Sequence, residues 1–479
     1  MSFAVPQVVT EFFRHRLARG AQEQGTINRF KTVCFNLPVM TSPTALLVQH
    51  RSTGEPDLMA EFKALAWTAE YKVLGEFNIV GPMSARFGIR SGKVEEIKTW
   101  IDINKPDVVI YSPRLRSSQM FRLMEEWKTE VRDRTQLILE IFDKHARTVQ
   151  AKLQIEQARL SYEIPFVRHQ LRTRMQKEHT GAKPVGEQTG AGEDLLNLRI
   201  MELRHRVAMI DDKLDKISES QSMKRKKRID AGFSEVALAG YTNAGKSTLH
   251  HALTGSDVEV ADQLFTTLST KSTELTMVGR RVVLTDSVGF ISDLPTSLLR
   301  AFNTTLMEIA ESDVIILVVD GSNSLQEVKR KVEVCMDTFS QIGINSVPIV
   351  TALNKIDLLS AAEVQARVSM LRNLGARVVP VSARDRLNLT DLVEVVEGLL
   401  PGLSRYSITL PYGDSTMSML SGIHEAGHVE SEVYGGDGVE VEATLSLGAA
   451  QKLFKMLPRG SLRRLESASP DADGSGRTS

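Results

Sequence analysis

Short runs of apolar residues that end in small or polar residues recur along the chain and predict buried β-strands. These runs cover residues 45–48 and 107–110, then 236–239, 281–286, 347–353 and 378–381, and finally 407–412, 427–434 and 439–445. We interpret the first two groups as α/β domains and the last as a small α+β domain. The predicted fold class is therefore multidomain α/β.

Between the first two groups, apolar residues recur at alternating steps of four and three, the heptad spacing of a helix that packs on a partner. This seam comprises Leu196, Ile200, Leu203, Val207, Ile210, Leu214 and Ile217. A less regular rhythm runs through Leu139, Phe142, Ala146, Val149, Leu153, Leu160 and Val167. A long antiparallel helical hairpin, with arms at least about 30 Å long, satisfies both patterns. Its tip is the Gly-rich segment 180–193, for which a disordered connector is the alternative.

The 479 residues are too many for one domain. The predicted order is an N-terminal extension at 1–30, an α/β domain at 31–130, the helical hairpin at 131–222, a basic linker at 223–230, a central domain at 231–402, a small α+β domain at 403–458 and a tail at 459–479. The tail is rich in Ser, Gly and Asp, and we expect it to be disordered.

Charge is balanced over the whole chain, with 59 basic and 59 acidic residues, so net charge predicts nothing about nucleic acid. Residues 144–183 nevertheless carry more Lys and Arg than Glu. A basic stripe beside a protruding tip fits RNA phosphates, and a solvated helix face is the alternative. We interpret the basic run 223–228 as a solvated linker that touches RNA, not as a nuclear signal.

Cysteine content and hydropathy limit the class of protein. Cys34 and Cys335 are the two cysteines and fall in different predicted domains, so we expect no structural disulfide or zinc site, and a reducing cytoplasm fits. No apolar stretch reaches the ~18 residues of a membrane span. Several arginines in the first 30 residues keep an organelle transit peptide open as the alternative.

The segment Gly240-Tyr241-Thr242-Asn243-Ala244-Gly245-Lys246-Ser247, followed by Thr248, comes directly after an apolar run. Its glycines allow a tight turn that directs backbone N–H groups at phosphate oxygens. Lys246 would reach the outer phosphates and Ser247 would bind magnesium. The helix that begins near Lys246 would add its positive N-terminal end. The segment predicts a triphosphate site, and an ordinary Gly-rich turn is the alternative.

The run 281–286 continues into Asp286-Ser287-Val288-Gly289. Asp286 would hold magnesium through water, and the Gly289 amide would contact the terminal phosphate. Upstream, Phe265-Thr266-Thr267 lies where a threonine binds magnesium when the terminal phosphate is present. We choose Thr267 over its neighbour, and a plain strand edge is the alternative. Loss of the phosphate would release both loops, which is the expected switch.

The tetrapeptide Asn354-Lys355-Ile356-Asp357 follows another apolar run and predicts selection of guanine. The Asp357 carboxylate can accept two hydrogen bonds from guanine, whereas adenine offers no such pair of donors. Lys355 would lie along the base, and Asn354 would tie this loop to the phosphate loop. The backbone of Ser382-Ala383-Arg384 could contact the guanine oxygen. The predicted ligands are therefore GTP and GDP.

Phe290 follows Gly289, at a position where many GTPases carry a glutamine that orients the attacking water. An apolar ring cannot do this, so we expect slow intrinsic hydrolysis unless a partner, another residue or a cation completes the site. Asn243 stands where potassium-stimulated GTPases resemble one another, which makes K⁺ between the phosphates one hypothesis. The other is that Asn243 simply tolerates left-handed backbone.

Segments 240–249, 264–268 and 285–295 together resemble the HflX family of ribosome-associated GTPases. Segments 88–96, 107–110 and 133–142 are similar to the N-terminal domain of that family, so the resemblance extends from about residue 31 to about residue 455. It implies a P-loop GTPase domain preceded by an α/β domain with a helical hairpin. It also implies that the hairpin reaches toward the peptidyl-transferase region of the large ribosomal subunit.

We therefore expect a monomeric, cytoplasmic GTP hydrolase that binds the large ribosomal subunit and its rRNA, and that splits or rescues ribosomes. Lys246, Thr267 and Gly289 are the predicted catalytic residues, and Ser247, Thr267 and Asp286 are the predicted Mg²⁺ ligands. A GTPase that assists subunit assembly is one alternative. A non-catalytic factor that keeps subunits apart when GTP is bound is the other.

Overall fold

Three β-sheets organise the structure, a computed structural model that describes residues 42–180, 189–230, 232–256, 265, 271–277, 280–292, 298, 303–344, 346–457 and 461–465. The predicted N-terminal extension, Thr266, Thr267 and residues 181–188 of the predicted tip lie outside the described residues. The described residues from Thr44 onward belong to one compact unit. No described helix has the length and apolar character that crossing a membrane requires.

The first sheet has four parallel strands in the order β2-β1-β3-β4, with helices on both faces. Its elements are β1 (Thr44–Arg51), α1 (Met59–Thr68), β2 (Lys72–Val80), α2 (Ser91–Asn104), β3 (Val108–Ser112), α3 (Ser117–Trp127), β4 (Glu130–Asp133) and α4 (Arg134–His145). The central strands β1 and β3 are buried over nearly their whole length because both faces are covered. Asp133 starts α4 by accepting a hydrogen bond from the Gln136 amide at 3.1 Å.

Two long helices follow, α5 (Val149–Thr180) and α6 (Thr189–Asp230), and they pack along each other. Gln221 of α6 contacts Gln150 of α5 at 2.9 Å, and Arg199 contacts Glu163 at 3.3 Å, so the helices run antiparallel. The heptad positions buried along α6 are Ile200, Leu203, Ile210 and Leu214. Their spacing keeps one apolar seam on the side that faces α5.

The first arm departs from its predicted rhythm. Val149 is 71% exposed, and the buried apolar residues described after it on α5 are Ala151, Ile155, Ala158 and Val167, of which Val167 alone was predicted. Helix α5 starts anew after an extended residue at Ala146, which interrupts the helical spacing between the apolar residues of α4 and those of α5.

Residues 189–193 and 223–230 are helical, whereas we expected an irregular tip and a linker at these positions. Each residue added to an existing helix gains a hydrogen bond, which offsets the ~1 kcal/mol that a glycine costs. At the other end, Arg225 and Arg228 pair with Glu235 at 2.7 and 2.8 Å. The basic run therefore joins α6 to the first strand of the central sheet.

The central sheet has six strands in the order β10-β9-β8-β5-β7-β6, of which β6 runs antiparallel to its neighbour β7. Its elements are β5 (Ser234–Gly240), α7 (Lys246–Thr254), β6 (Lys271–Met277), β7 (Arg280–Asp286), α8 (Asn303–Ala310), β8 (Val314–Asp320), α9 (Leu325–Gln341), β9 (Ile349–Asn354), α10 (Ala361–Asn373), β10 (Arg377–Pro380) and α11 (Leu389–Glu397). The five parallel strands end at one edge, which is where α/β sheets place their ligands.

The third sheet is antiparallel, in the order β12-β13-β11-β14, and packs against two helices. Its elements are β11 (Leu403–Pro411), α12 (Thr416–Ala426), β12 (Gly427–Tyr434), β13 (Gly438–Ser446), α13 (Leu447–Met456) and β14 (Leu462–Leu465). β14 contradicts the expectation of disorder from residue 459 onward. It pairs with β11, and Leu462 packs against the core of this domain. Residues 466–479 of the predicted tail lie outside the described residues.

Candidate nucleotide-binding site

The predicted phosphate loop connects β5 to α7 and turns sharply at Gly245. Gly245 has a φ of +90°, and a Cβ atom at this position would lie 2.3 Å from Asn354 Nδ2. Glycine alone tolerates both the left-handed backbone and this close approach. Helix α7 begins at Lys246 with Ser247 and Thr248 in its first turn, so its positive end adjoins the loop.

Lys246 lies between this loop and the loop that follows β7. Its Nζ donates hydrogen bonds to the carbonyls of Gly240 and Tyr241 at 3.2 and 3.0 Å. A Cβ atom added at Gly289 would lie 2.9 Å from the same nitrogen. Burial lowers the pKa of Lys246, and the nearby Asp286 carboxylate opposes that shift. Phosphate oxygens, the predicted partners of this side chain, would favour its charged form.

Two of the three predicted magnesium ligands are adjacent. Ser247 Oγ donates a hydrogen bond to Asp286 Oδ2 at 3.0 Å. A hydroxyl and a carboxylate are hard oxygen ligands that suit Mg²⁺, whose remaining positions are commonly filled by water and phosphate. Thr267, the third predicted ligand, lies outside the described residues. Among the residues that are described, no group of three or more His, Cys, Asp or Glu side chains forms a separate metal site.

The predicted base-selecting residues come from two loops and contact the phosphate loop. Asn354 Nδ2 donates to the Ala244 carbonyl, and its Oδ1 accepts from the Ala383 amide, each at 3.0 Å. Ser382 Oγ donates to Asp357 Oδ1 at 2.7 Å. Asn354 therefore contacts both the phosphate loop and the loop after β10, and Arg384 in the latter loop is exposed.

Lys355 is held by a residue that sequence reasoning missed. Its Nζ donates to the Asn243 carbonyl at 3.0 Å and pairs with Asp320 Oδ2 at 2.7 Å. Burial raises the pKa of Asp320, but hydrogen bonds from Lys355 and Ser322 outweigh burial and lower it overall. The position of Asp320 at the end of the apolar strand β8 is the sequence feature that could have predicted its contact with Lys355. Asn243 has a φ of +60°, which fits the hypothesis of left-handed backbone and leaves that of K⁺ untested.

The segment that follows Asp286 is attached to the phosphate loop. Ser287 Oγ donates to the Leu238 carbonyl at 2.5 Å, and Val288 is buried. The Phe290 amide donates to the Gly240 carbonyl at 3.0 Å, and the Thr242 amide donates to the Phe290 carbonyl at 2.8 Å. The Phe290 ring is 1% exposed and packs edge to face on Phe339 of α9, with ring centres 5.5 Å apart. Its side chain is therefore part of the core.

Replacing Phe290 by Gln is expected to destabilise the protein instead of supplying an amide that orients water. Gln would bury an amide in a space shaped for a ring, and the packing on Phe339 would be lost. We expect the free energy of unfolding to fall by about 3 kcal/mol, as for loss of a buried ring. Urea denaturation measures this change. Phe454→Gln is the control, because Phe454 is 58% exposed. Faster turnover with unchanged stability would contradict the expectation.

Phe265 contacts the N-terminal part of the chain. Its ring is buried and packs edge to face on Phe142 of α4, with ring centres 4.7 Å apart. We predicted a nucleotide contact for Phe265, and the structure places its ring against α4. The loop that contains the predicted magnesium-binding threonine is thus anchored, at this one described residue, on a helix outside the central sheet.

Three family models match successive parts of the chain. They are described as GTP-binding GTPase N-terminal, GTP-binding GTPase Middle Region and 50S ribosome-binding GTPase, and they match residues 57–143, 145–228 and 235–355. A GTP-binding protein from Sulfolobus solfataricus, solved in complex with GDP, is 26% identical over 74% of this chain and 98% of that one. The TM-score between the two structures is 0.41.

Full-length relatives show which family this is. The chain is 37% identical to GTPase HflX of Thermococcus kodakarensis, over 86% of its own length and 94% of that protein. It is 34% identical to GTPase HflX of Thermofilum pendens, over 82% of its own length and 92% of that protein. Identity at this level, over nearly the whole of each relative, agrees with the three family models and with the resemblance of the motifs. The chain therefore belongs to the HflX family of GTPases.

Proposed function

We propose that this protein binds GTP together with Mg²⁺, hydrolyses it to GDP and phosphate, and attaches to the large ribosomal subunit in one nucleotide state. The observation that carries the nucleotide part is the position of Asn354. Its amide contacts Ala244 in the phosphate loop and Ala383 in the loop after β10. The residues proposed to bind phosphate and those proposed to select guanine are thereby held at one edge of the central sheet.

Water is the proposed nucleophile. Bound Mg²⁺ would neutralise part of the charge on the phosphates, and Ser247, Thr267 and Asp286 are proposed to hold it. Lys246 would offset further charge on the transferring phosphoryl group, and the Gly289 amide would position that group. The Phe290 side chain is in the core, so another group must orient the water. This supports slow turnover of the free protein and acceleration by a partner.

The large ribosomal subunit is the proposed partner, for two reasons. The family that matches residues 235–355 is described as a 50S ribosome-binding GTPase. The two long helices also carry exposed cationic side chains, among them Lys152, Arg168, Lys224 and Lys227. Cationic side chains of this kind suit RNA phosphates. Not every one is available, because Arg159 pairs with Asp143 at 3.2 Å.

We further propose that the output is separation of ribosomal subunits or rescue of stalled ribosomes. Sucrose-gradient profiles of intact ribosomes, incubated with the protein and GTP, a non-hydrolysable GTP analogue or GDP, test this. We expect more free subunits with GTP or the analogue than with GDP. GTP turnover measured with and without large subunits is expected to rise by at least tenfold with them.

Each alternative gives a different result in these assays. A subunit-assembly factor would leave the gradient profile of intact ribosomes unchanged with GTP, with the analogue and with GDP. A non-catalytic factor would hold subunits apart with the analogue and with GTP, while turnover would not respond to large subunits. Identical gradient profiles with GTP, the analogue and GDP would contradict a nucleotide switch altogether.

A further inference from the structure

The hydroxyl of Tyr241, the second residue of the phosphate loop, lies at the centre of a buried polar network. It contacts Glu61 of α1 by a short hydrogen bond. The Ser292 amide donates to it at 2.9 Å, and Ser292 Oγ lies 2.8 Å away. Arg330 of α9 donates to Ser292 Oγ at 2.5 Å. Tyr241 and Ser292 are 5% and 4% exposed, so water cannot readily replace these partners.

The chemistry of these groups fixes the direction of each hydrogen bond. Burial raises the pKa of the Tyr241 phenol most, and the Glu61 carboxylate raises it further. The phenol therefore stays protonated and has one proton to donate. Glu61 can only accept, and it therefore takes that proton. Ser292 Oγ accepts from Arg330, which leaves its own proton for the Tyr241 oxygen. This oxygen then donates once and accepts twice, so its hydrogen-bonding capacity is full.

The network holds a short segment that contains the predicted phosphate sensor. Gly289 precedes Phe290, whose backbone pairs with the phosphate loop on both sides, through Gly240 and Thr242. Two residues further on, the amide and the hydroxyl of Ser292 both bind the Tyr241 oxygen. The segment after Gly289 is thus attached to the phosphate loop at two points, and Tyr241 provides the second.

A residue from outside the central sheet completes this second point. Glu61 lies 180 positions from Tyr241 in the chain, on α1. It also forms a close ion pair with Arg134 at the start of α4, and the Arg134 and Glu61 side chains are 6% and 13% exposed. An ion pair that is buried to this extent costs free energy to break because each charge would be left unpaired. Glu61 is therefore held in place to receive the phenol proton.

We infer that Tyr241 is a positioning residue for GTP recognition. Its hydroxyl holds the segment after Gly289, so that the Gly289 amide meets the terminal phosphate. Glu61 is needed for this because it accepts the phenol proton. This inference rests on the proposed function. The inference predicts that the affinities for GDP and for GTP respond differently to loss of the Tyr241 hydroxyl. GDP lacks the terminal phosphate, so its binding does not use the Gly289 amide, whereas binding of GTP does.

The test compares Tyr241→Phe with Tyr71→Phe, both in the full chain. Tyr71 is also buried, and its hydroxyl also contacts a carboxylate and a guanidinium, Glu140 at 2.9 Å and Arg132 at 2.7 Å. Tyr71 lies in the first domain, and the hydrogen bonds described for its hydroxyl are to residues of that domain. Titrations with fluorescent GDP and with a fluorescent non-hydrolysable GTP analogue give two affinities for each variant, and single-turnover assays give the hydrolysis rate.

We expect Tyr241→Phe to weaken analogue binding about tenfold relative to GDP, because the buried Ser292 amide loses its acceptor. Single-turnover hydrolysis should slow by a similar factor, while GDP affinity stays within about twofold of wild type. Glu61→Gln keeps an acceptor for the phenol proton and should give a smaller loss. Glu61→Ala should approach Tyr241→Phe. Tyr71→Phe should leave the ratio of the two affinities unchanged.

The outcomes distinguish this inference from the proposed function. If the wild type binds no guanine nucleotide, the proposed function itself fails. If the wild type prefers the analogue to GDP and Tyr241→Phe keeps that ratio and rate, the positioning role is wrong. Equal losses for GDP and the analogue would also overturn it, since they would indicate general damage to the phosphate loop. If circular dichroism shows that Tyr241→Phe folds poorly, the ratio of analogue affinity to GDP affinity is measured in Ser292→Ala and Glu61→Ala instead.

Discussion

Replacing Asp357 by Asn is expected to lower the affinity for GTP by about 10⁴-fold and to create affinity for xanthosine triphosphate. The proposed site uses two acceptor oxygens for the two guanine donors, N1–H and the exocyclic amine. Asparagine keeps one acceptor and turns the other into a donor, which would face the guanine amine. Xanthine carries a carbonyl in place of that amine, so it matches the new donor.

Ser382 makes this prediction sharper. Its Oγ donates to Asp357 Oδ1 at 2.7 Å, which fixes the carboxylate plane before a base enters. An asparagine that keeps its oxygen toward Ser382 presents its amide group to the base. Competition titrations with GTP, ATP and xanthosine triphosphate measure the exchange. Asp391→Asn on α11 is the control, because it makes the same change in charge at an exposed residue. An unchanged preference for GTP over xanthosine triphosphate in Asp357→Asn would contradict base selection by Asp357.

The nucleotide loops could be predicted from the sequence because their chemistry is local. The phosphate loop needs glycines, a lysine and a hydroxyl at fixed spacing between a strand and a helix, and β5 and α7 flank it as expected. The apolar runs that end at Asp286 and Asn354 are two of the five parallel strands of the central sheet, β7 and β9. Parallel strands end at the same edge of a sheet, so these residues meet there although they are distant in sequence.

Contacts between domains could not be predicted in the same way, because no periodic pattern of apolar residues indicates which domains touch. Glu61 and Arg134 read as ordinary charged residues on amphipathic helices. Their role depends on how the first domain is placed against Tyr241, which is set by packing over long sequence separations. The same applies to the contact between Phe142 and Phe265.

The ends of helices could not be predicted either, because tertiary contacts decide them. Helix α6 continues through residues 223–230, which were predicted to be a linker, and Arg225 of this part pairs with Glu235.

These contacts give the chain a route by which a partner could influence the nucleotide loops. The loops of Thr267 and Gly289 are proposed to sense the terminal phosphate. Phe265 lies in the first loop and Tyr241 binds the second through Ser292, and each touches a helix of the first domain, α4 or α1. A partner that moved the first domain would therefore act on both loops. This is a physical basis for the proposed stimulation by large subunits, because the Phe290 side chain cannot provide the missing catalytic group.

Replacing Lys246 by Ala is expected to slow hydrolysis by about 10²–10³-fold, whether or not large subunits are present. The ammonium group is proposed to offset charge that grows on the phosphates during transfer, so its loss should raise the barrier more than it weakens GDP binding. Burial increases this effect, because a charge in a site with little water acts more strongly on a neighbouring phosphate. Single-turnover assays with saturating GTP measure the rate, and GDP titration measures the remaining affinity.

Stability should respond differently from rate in the same variant. Lys246 is buried, and its removal ends hydrogen bonds to Gly240 and Tyr241 as well as the unfavourable burial of its charge. These effects oppose each other, so we expect the free energy of unfolding to change by less than about 1 kcal/mol. Lys329→Ala on α9, where the side chain is 54% exposed, is the control for loss of one positive charge. If Lys246→Ala and Lys329→Ala hydrolysed GTP at the same rate, charge stabilisation by Lys246 would be wrong.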